Sequence, residues 1–337
     1  MAGIYIHIPF CKRRCIYCDF FSTTASEKKN EYIKALCKEI AGRKNYLGGE
    51  TIDTIYLGGG TPSQLEKDDF TNIFRTIYDN YSVNPNAEIT IEANPDDLTD
   101  GYVKMLSTLP FNRLSMGIQT FNDDILSLLK RRHNAQQAIE AFGKCKNAGF
   151  RNISIDLMYG LPGESMDTWN KDLDTAISLK PEHISAYHLR EEKKVSEADE
   201  DLSNSLFETL ISRLKENGYV HYEISNFCRP GMHSRHNSSY WTGIKYLGCG
   251  PSAHSYDGHS RQWNISSLDK YIEGINKGSN ISEIEELDLY TRYNDFVITS
   301  IRTAWGMPLD KLKAEYGNAL YDYCLKMAHP HISQGTL

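Results

Sequence analysis

The sequence lacks most of what would place it in a membrane, on a nucleic acid or in a disulfide-knit secreted fold. No run approaches the roughly 18 consecutive apolar residues of a spanning helix, and the chain opens on the strand-like IYIHI with neither a basic leader nor a hydrophobic signal core. A cytoplasmic protein without a transmembrane segment is expected. Long Lys/Arg blocks are missing, and 37 basic against 44 acidic residues give a formal net charge of -7, so nucleic acid is not an expected partner. Internal repeats and low-complexity tracts are missing too. Eight cysteines in 337 residues are too few for a disulfide scaffold. They are unevenly spent, however. Cys11, Cys15 and Cys18 crowd into HIPFCKRRCIYCDFFS with C-x3-C-x2-C spacing, while Cys37, Cys145, Cys228, Cys249 and Cys324 are scattered and read as small buried hydrophobes.

What is present is an alternation of strand and helix patterns. Short runs rich in Ile, Tyr and Val recur as IYIHI at 4–8, TIYLG at 54–58, EITIEAN at 88–94, RLSMGIQ at 113–119, ISIDLMYG at 153–160 and HISAYHL at 183–189. Between them, YIKALCKEIAGR and AIEAFGKCKNAGF space apolar residues by three and four, the helical period. Strand–helix alternation predicts an α/β fold with a parallel sheet and right-handed crossovers, and six units predict a partial (β/α)6 TIM-like barrel, short of the eight in a closed one. The expected layout is a barrel over residues 1–230 and a smaller, mostly helical region over 231–337. Glu92, Asn94 and Gln119 fall at strand C-terminal ends, with Asp156 inside the fifth strand, which is the rim where such barrels build their sites. After about residue 195, SEADEDLSNSLFETLISRLKENGY predicts a helix ending at Gly218. The stretch YEISNFCRPGMHSRHNSSYWTGIKYLGCGPSAHSY reads as loop and short strand near a ligand, and 267–326 reads as helical.

Thiolates are soft ligands, so three in one loop suit zinc or an iron–sulfur cluster rather than magnesium or calcium. A structural zinc site wants four protein ligands, for which His7 is the nearby candidate; a four-iron cluster on three cysteines leaves one iron open. C-x3-C-x2-C after the first strand resembles the radical S-adenosylmethionine superfamily. The resemblance implies a 4Fe–4S cluster on Cys11, Cys15 and Cys18. Its open iron would be chelated by the methionine moiety of S-adenosylmethionine, and an electron from the reduced cluster, itself reduced by an unidentified donor, would cleave the sulfonium to methionine and a 5′-deoxyadenosyl radical. It also assigns Gly58, Gly59 and Gly60 of LGGGTPS to the segment that receives the methionine amino group.

Taken together, YIHIPFC, GGGTPS, EANP, SMGIQTF, DLMYGLPG, YEISNF and SRHNSSYW are similar to the oxygen-independent coproporphyrinogen III oxidase-like family, which includes both porphyrin oxidases and haem chaperones. The resemblance implies that Tyr5 and Tyr17 pack around S-adenosylmethionine and that Gly59, Gly60 and Thr61 touch its methionine end. It puts Glu92 near the ribose or methionine, Gln119 and Asp156 near the nucleoside, and Arg131 near the carboxylate. From the residues alone, the KRRH run holding Arg131 reads equally as a solvated charged face. Two features separate the oxidases from the chaperones. The oxidase motif continues to a fourth cysteine where this chain has Phe20, and HNSSYW at 236–241 matches the chaperones' HNxxYW haem motif. The match makes His236 the candidate haem ligand, with His233 and His254 close by; without it, the segment reads as a turn followed by an aromatic plug. The implied function is a haem chaperone passing haem to an acceptor such as a respiratory haem protein. The alternative is an oxidase that decarboxylates coproporphyrinogen to protoporphyrinogen, so enzyme status is left open. The family pattern also implies a further short segment beyond residue 337.

Overall fold

The computed structural model describes residues 1–189 and 200–337. Six parallel strands follow in chain order and are neighbours in the same order: β1 (Ala2–Ile8), β2 (Ile52–Gly59), β3 (Val83–Ala93), β4 (Arg113–Gln119), β5 (Ile153–Tyr159) and β6 (His183–His188). Each contains or overlaps one of the six apolar runs. The helices between them are α1 (Lys29–Gly42), α2 (Lys67–Asn80), α3 (Asp100–Leu106), α4 (Asp123–Leu128), α5 (Ala135–Asn147) and α6 (Met166–Leu179). Side-chain caps start several of them. Asn134 and Ser165 accept from backbone N–H groups of α5 and α6 in capping boxes, which places these helix starts as the sequence dictates.

Because successive side chains of a strand point to opposite faces, each run carries two chemistries. On one face Ile4, Ile6 and Ile8 of β1, Ile89 and Ile91 of β3 and Ile153, Ile155 and Leu157 of β5 join a single buried core with Leu36 and Ile40 of α1 and Phe142 of α5. On the other face the register aligns Gly3 with Thr54, Thr54 with Glu88, Glu92 with Ser115, Ser115 with Ser154 and Asp156 with Ser185. The polar character expected at the strand ends extends down the whole inner face.

The sheet continues beyond the six strands. The next elements are α7 (Glu200–Glu216), β7 (Val220–Glu223), β8 (Asn226–Cys228), α8 (Arg235–Thr242), β9 (Lys245–Cys249), β10 (His254–Tyr256) and β11 (Ser260–Asn264). They are followed by α9 (Leu268–Lys277), β12 (Ser282–Glu286), α10 (Leu289–Ser300) and α11 (Leu309–Gln334). The full order is β12-β11-β10-β9-β1-β2-β3-β4-β5-β6-β8-β7, so the sheet stays open, with β12 and β7 at its edges, as a partial barrel requires. β9 adds a further parallel strand beside β1, and β8 closes antiparallel on β6. The helix expected after residue 195 forms as α7 and ends before Gly218, whose φ is 78°; residues 196–199 of that expectation lie outside the described residues. The 267–326 stretch is mostly helical, interrupted by β12, where the acidic SEIEE pairs antiparallel with β11, and by the loop 301–308 between α10 and α11. Its charges face water on an edge strand, a position that tolerates low strand propensity. The HNSSYW segment forms α8 instead of a turn, with Ser234 as its N-cap. Among the described residues, no helix is long and apolar enough to cross a membrane.

Candidate functional site

The C-terminal ends of β1–β6 and the loop after β1 enclose a cavity of about 520 Å³. Cys11, Cys15 and Cys18 all line it. The loop that carries them is pinned at its root, where Cys11 N–H donates to the Thr23 carbonyl (2.9 Å) and Thr23 N–H to that of Pro9 (2.7 Å). The Cys11 sulfur lies 3.2 Å from Thr61 Oγ1 on the loop after β2. Burial pushes the Cys11 and Cys18 thiols above their usual range. All eight cysteines are free, and Cys145, Cys228, Cys249 and Cys324 are buried as packing groups.

The glycine turn after β2 is a shelf without side chains. A Cβ on Gly59, whose φ is 106°, would come within 2.6 Å of the His7 ring, and one on Gly60 within 2.8 Å of the Pro9 carbonyl. Only glycine satisfies both the dihedral and the approach. Gly59 N–H donates to Glu92 Oε2 (3.2 Å), and the Tyr56 hydroxyl donates to Oε1 (2.7 Å). Desolvation nonetheless raises the Glu92 carboxyl to about 7. Asp156 is raised to about 6 by burial, partly offset by hydrogen bonds from Ser185 and Ser115. The guanidinium of Arg113, fully buried on the same inner face, favours the ionised form of both.

Arg131 is not a solvated charge. Its Nη1 lies 3.5 Å from the Cys15 sulfur and 3.4 Å from the Tyr17 hydroxyl, while Nη2 donates to Asn94 Oδ1 (2.8 Å) and to the Gly117 carbonyl. The charge run holds one inward arginine because the chain turns after α4. Gln119 lines the cavity with φ at 78°, a backbone conformation that costs a non-glycine residue of order 1–3 kcal/mol and that clusters at functional sites. A register shift between Gly117 and Gln119 accompanies it.

Tyr17, Gly59, Gly60, Thr61, Glu92, Gln119, Arg131 and Asp156 thus meet the three cysteines in one cavity. Tyr5 does not line it; Tyr5 borders a second cavity of about 680 Å³ that shares Asp19, Phe20, Tyr56, Gly59, Glu92, Tyr187 and Asn237 with the first. His7 is buried, its ring nitrogens taken up by the Tyr5 hydroxyl (3.1 Å) and the Phe21 carbonyl (2.8 Å), so it is not presented as a fourth ligand beside the thiols. His236 lies inside the barrel, 1% exposed and stacked on Tyr56 and Tyr5. Its Nδ1 meets Thr54 Oγ1 at 2.8 Å and its Nε2 the Tyr240 hydroxyl at 3.1 Å, and burial lowers its pKa to about 3.

One residue that sequence reasoning missed ties the rim together. Asp97, in the turn after β3, accepts from Lys12 of the cysteine loop (2.9 Å), from Ser63 (2.8 Å) and Gln64 (2.6 Å) after the glycine shelf, and from Arg132 (3.1 Å) beside Arg131. The EANPDD segment was a signal, since two carboxylates immediately after a strand end are placed to bridge neighbouring loops.

Three soft sulfur donors around one cavity, with an arginine against one of them and a shelf no side chain could share, fit an iron–sulfur cluster with a small polar ligand beside it. Among the described residues, no three His, Cys, Asp or Glu side chains are gathered into a closed metal cage, so the fit rests on the donor set and the shared cavity.

Comparison with known proteins agrees with this arrangement. The model of the radical SAM superfamily matches residues 5–176. The heme chaperone HemW of Bacillus subtilis is 34% identical over 336 residues, covering 95% of this chain and 88% of the relative. HemW of Mycobacterium tuberculosis H37Rv is 32% identical over 329 residues, covering 93% and 84%. HemW of Lactococcus lactis is 33% identical over 324 residues, with the same coverage. In fold, the radical SAM enzyme coproporphyrinogen III oxidase (HemN) from Escherichia coli superposes with a TM-score of 0.87 at 24% identity, covering 99% of this chain and 83% of that one. The chain therefore belongs to the radical SAM superfamily and, within it, to the family of the haem chaperone HemW.

Proposed function

We propose that this protein is a haem chaperone of the cytoplasm that carries a 4Fe–4S cluster and S-adenosylmethionine and passes haem to an acceptor protein. The observation that carries this reading is the pairing of a cysteine-rimmed cavity with a larger aromatic one across a shared wall. Phe20 stands in that wall two residues after Cys18, where a fourth thiol would mark the oxidases, and is 67% exposed. An exposed phenyl ring between two cavities suits contact with a flat apolar cargo.

In this reading Cys11, Cys15 and Cys18 hold the cluster, which when reduced supplies the electron that can cleave a sulfonium. Gly59 and Gly60 bring bare backbone to the methionine end, with Thr61 beside Cys11. Glu92 accepts hydrogen bonds from the ribose hydroxyls or the methionine end. Arg131, already engaged by Asn94 and Tyr17, opposes a carboxylate, and Gln119 and Asp156 face the base and ribose. His236 is the candidate haem ligand by the HNxxYW match, and its ring nitrogens lie beside the Thr54 and Tyr240 hydroxyls.

Anaerobic reconstitution with iron and sulfide, followed by haem titration, tests the reading. The expected outcome is about four iron and four sulfide per chain, a Soret shift on haem addition, and no protoporphyrinogen from added coproporphyrinogen. Absence of a Soret shift would sink it, and product formation would establish the oxidase instead.

A further inference from the structure

We propose that Thr54 is the positioning residue for the His236 imidazole: its hydroxyl accepts from Nδ1–H and fixes the ring so that Nε2 carries the lone pair offered to the haem iron. This rests on the haem-chaperone reading and adds to it the group that sets the ligand's tautomer and direction.

The two ring nitrogens have different surroundings. Nδ1 lies 2.8 Å from Thr54 Oγ1 on β2, and both side chains are buried inside the barrel. Nε2 lies 3.1 Å from the hydroxyl of Tyr240, a residue that lines the aromatic second cavity. Nδ1 is therefore the nitrogen on the sheet side and Nε2 the one on the cavity side. A neutral imidazole has one proton for two nitrogens, so a metal on Nε2 requires the proton on Nδ1 and an acceptor beside it. Among the described residues Thr54 Oγ1 is that acceptor, and it has no other hydrogen-bond partner.

The backbone is held on both sides of this contact. β2 lies between β1 and β3, and Thr54 pairs in register with Glu88 of β3. The Glu88 carboxylate in turn accepts from the backbone N–H groups of His236 (3.0 Å) and Arg235 (3.1 Å) at the start of α8. Two neighbouring inner-face residues thus seat the first turn of α8, one through its backbone and one through the imidazole. Tyr240 is only half-buried, one helical turn later; it covers Nε2 in this structure and gives way when a metal takes its place, whereas Thr54 stays fixed by the sheet.

The Tyr56 and Tyr5 rings stack on the imidazole with centroids 5.1 and 6.3 Å away. They set the plane of the ring, and the hydroxyl sets its direction within that plane. Gly3 of β1, in register with Thr54, leaves the space for the pair: a Cβ there would come within 2.7 Å of Thr54 Oγ1 and 3.2 Å of His236 Nδ1. A buried Nδ1–H with an acceptor makes the imidazole a stronger base toward a metal, and one without an acceptor carries the cost of an unmet donor. Valine at position 54 would keep the shape and remove the acceptor. Serine would keep the acceptor and remove a methyl group.

The test is titration of the reconstituted protein with haem for wild type, Thr54→Val, Thr54→Ser and His236→Ala, with Thr54→Ala as a second variant lacking the acceptor and circular dichroism to confirm folding. The readouts are haem affinity and the iron–nitrogen stretch of the ferrous complex by resonance Raman. In Thr54→Val and Thr54→Ala the affinity should fall by about ten-fold and the stretch should move to lower frequency; Thr54→Ser should keep both near wild type. His236→Ala should lose the stretch altogether. Wild-type affinity and stretch in folded Thr54→Val would overturn the assignment, and so would a loss in Thr54→Ser equal to that in Thr54→Val, which would make the contact one of packing; either result leaves the chaperone reading intact. A stretch retained in folded His236→Ala would also overturn it. No haem binding by the wild type would overturn the chaperone reading together with the assignment.

Discussion

The two faces of β1–β6 are made by the same strands and differ in every respect that matters to function. The outer face is a continuous aliphatic layer, as in Ile4, Ile6 and Ile8, packed against the helices in one core. Burial of each such side chain contributes about 1.5–3 kcal/mol, and any apolar residue of similar volume would serve. The inner face holds Tyr5, Thr54, Glu92, Arg113, Asp156 and His183, a set that is costly to bury and persists only through specific partners. Some costs are left unmet: Arg113 Nε and Nη1 and Thr90 Oγ1 have no hydrogen-bond partner among the described residues. The outer face thus carries stability, and the inner face spends some of it to hold charges where a ligand can meet them.

Substitutions on opposite faces should separate these roles. Cys15→Ala, at the mouth of the inner face, removes one of three cluster ligands; iron and sulfide content after reconstitution should fall to background, while circular dichroism and thermal midpoint of the apo-protein stay close to wild type. A large drop in apo-protein stability would instead give the loop a structural role. Ile6→Ala, on the outer face of β1 just before the cysteine loop and fully buried, should cost about 2–5 kcal/mol in denaturant unfolding. It should leave cluster content per folded molecule unchanged. Glu92→Gln gives the smallest and most specific effect. Because the folded pKa of Glu92 is raised to about 7 above the ordinary 4.5, its protonated form is favoured in the fold. Its contribution is full below the unfolded value and is lost as pH rises through about 7. The apo-protein's thermal midpoint should therefore decline between pH 5 and 8, and the glutamine variant should flatten that decline. An unchanged slope would mean that another group, with Asp156 the first to examine, sets the pH dependence.

The same contrast explains what could be read from the chain before its fold was known. The six inner strands were legible because Ile, Leu and Val recur every second residue between helical periods, and that periodicity survives in any parallel sheet. The cysteine spacing was legible because ligands from one short loop need no tertiary structure to be neighbours. β12 was not legible, since SEIEE becomes a strand only by pairing with β11. Nor was α8: its Asn/Ser-rich start suggests a turn, and the segment is helical with His236 and Tyr240 one turn apart and joined by a hydrogen bond. From the residues alone Arg131 read equally as a solvent-facing charge, because its burial depends on Asn94, Gly117 and Tyr17 from three other segments. Asp97 was invisible as a hub for the same reason, its donors lying at positions 12, 63, 64 and 132.

By itself the sequence determined the alternation of strand and helix, the soft-ligand loop and the polar residues near the strand ends, because each is a local pattern whose period or spacing carries its own physics. Tertiary structure alone decided which imidazole is engaged and which is free. His236 sits in the HNSSYW motif and His254 in the nearby AHSY, and neither segment by itself says which ring is engaged. Burial and two hydrogen bonds hold the first, and an open cavity leaves the second available. A side chain's availability is a property of what surrounds it in space, and no spacing along the chain encodes that.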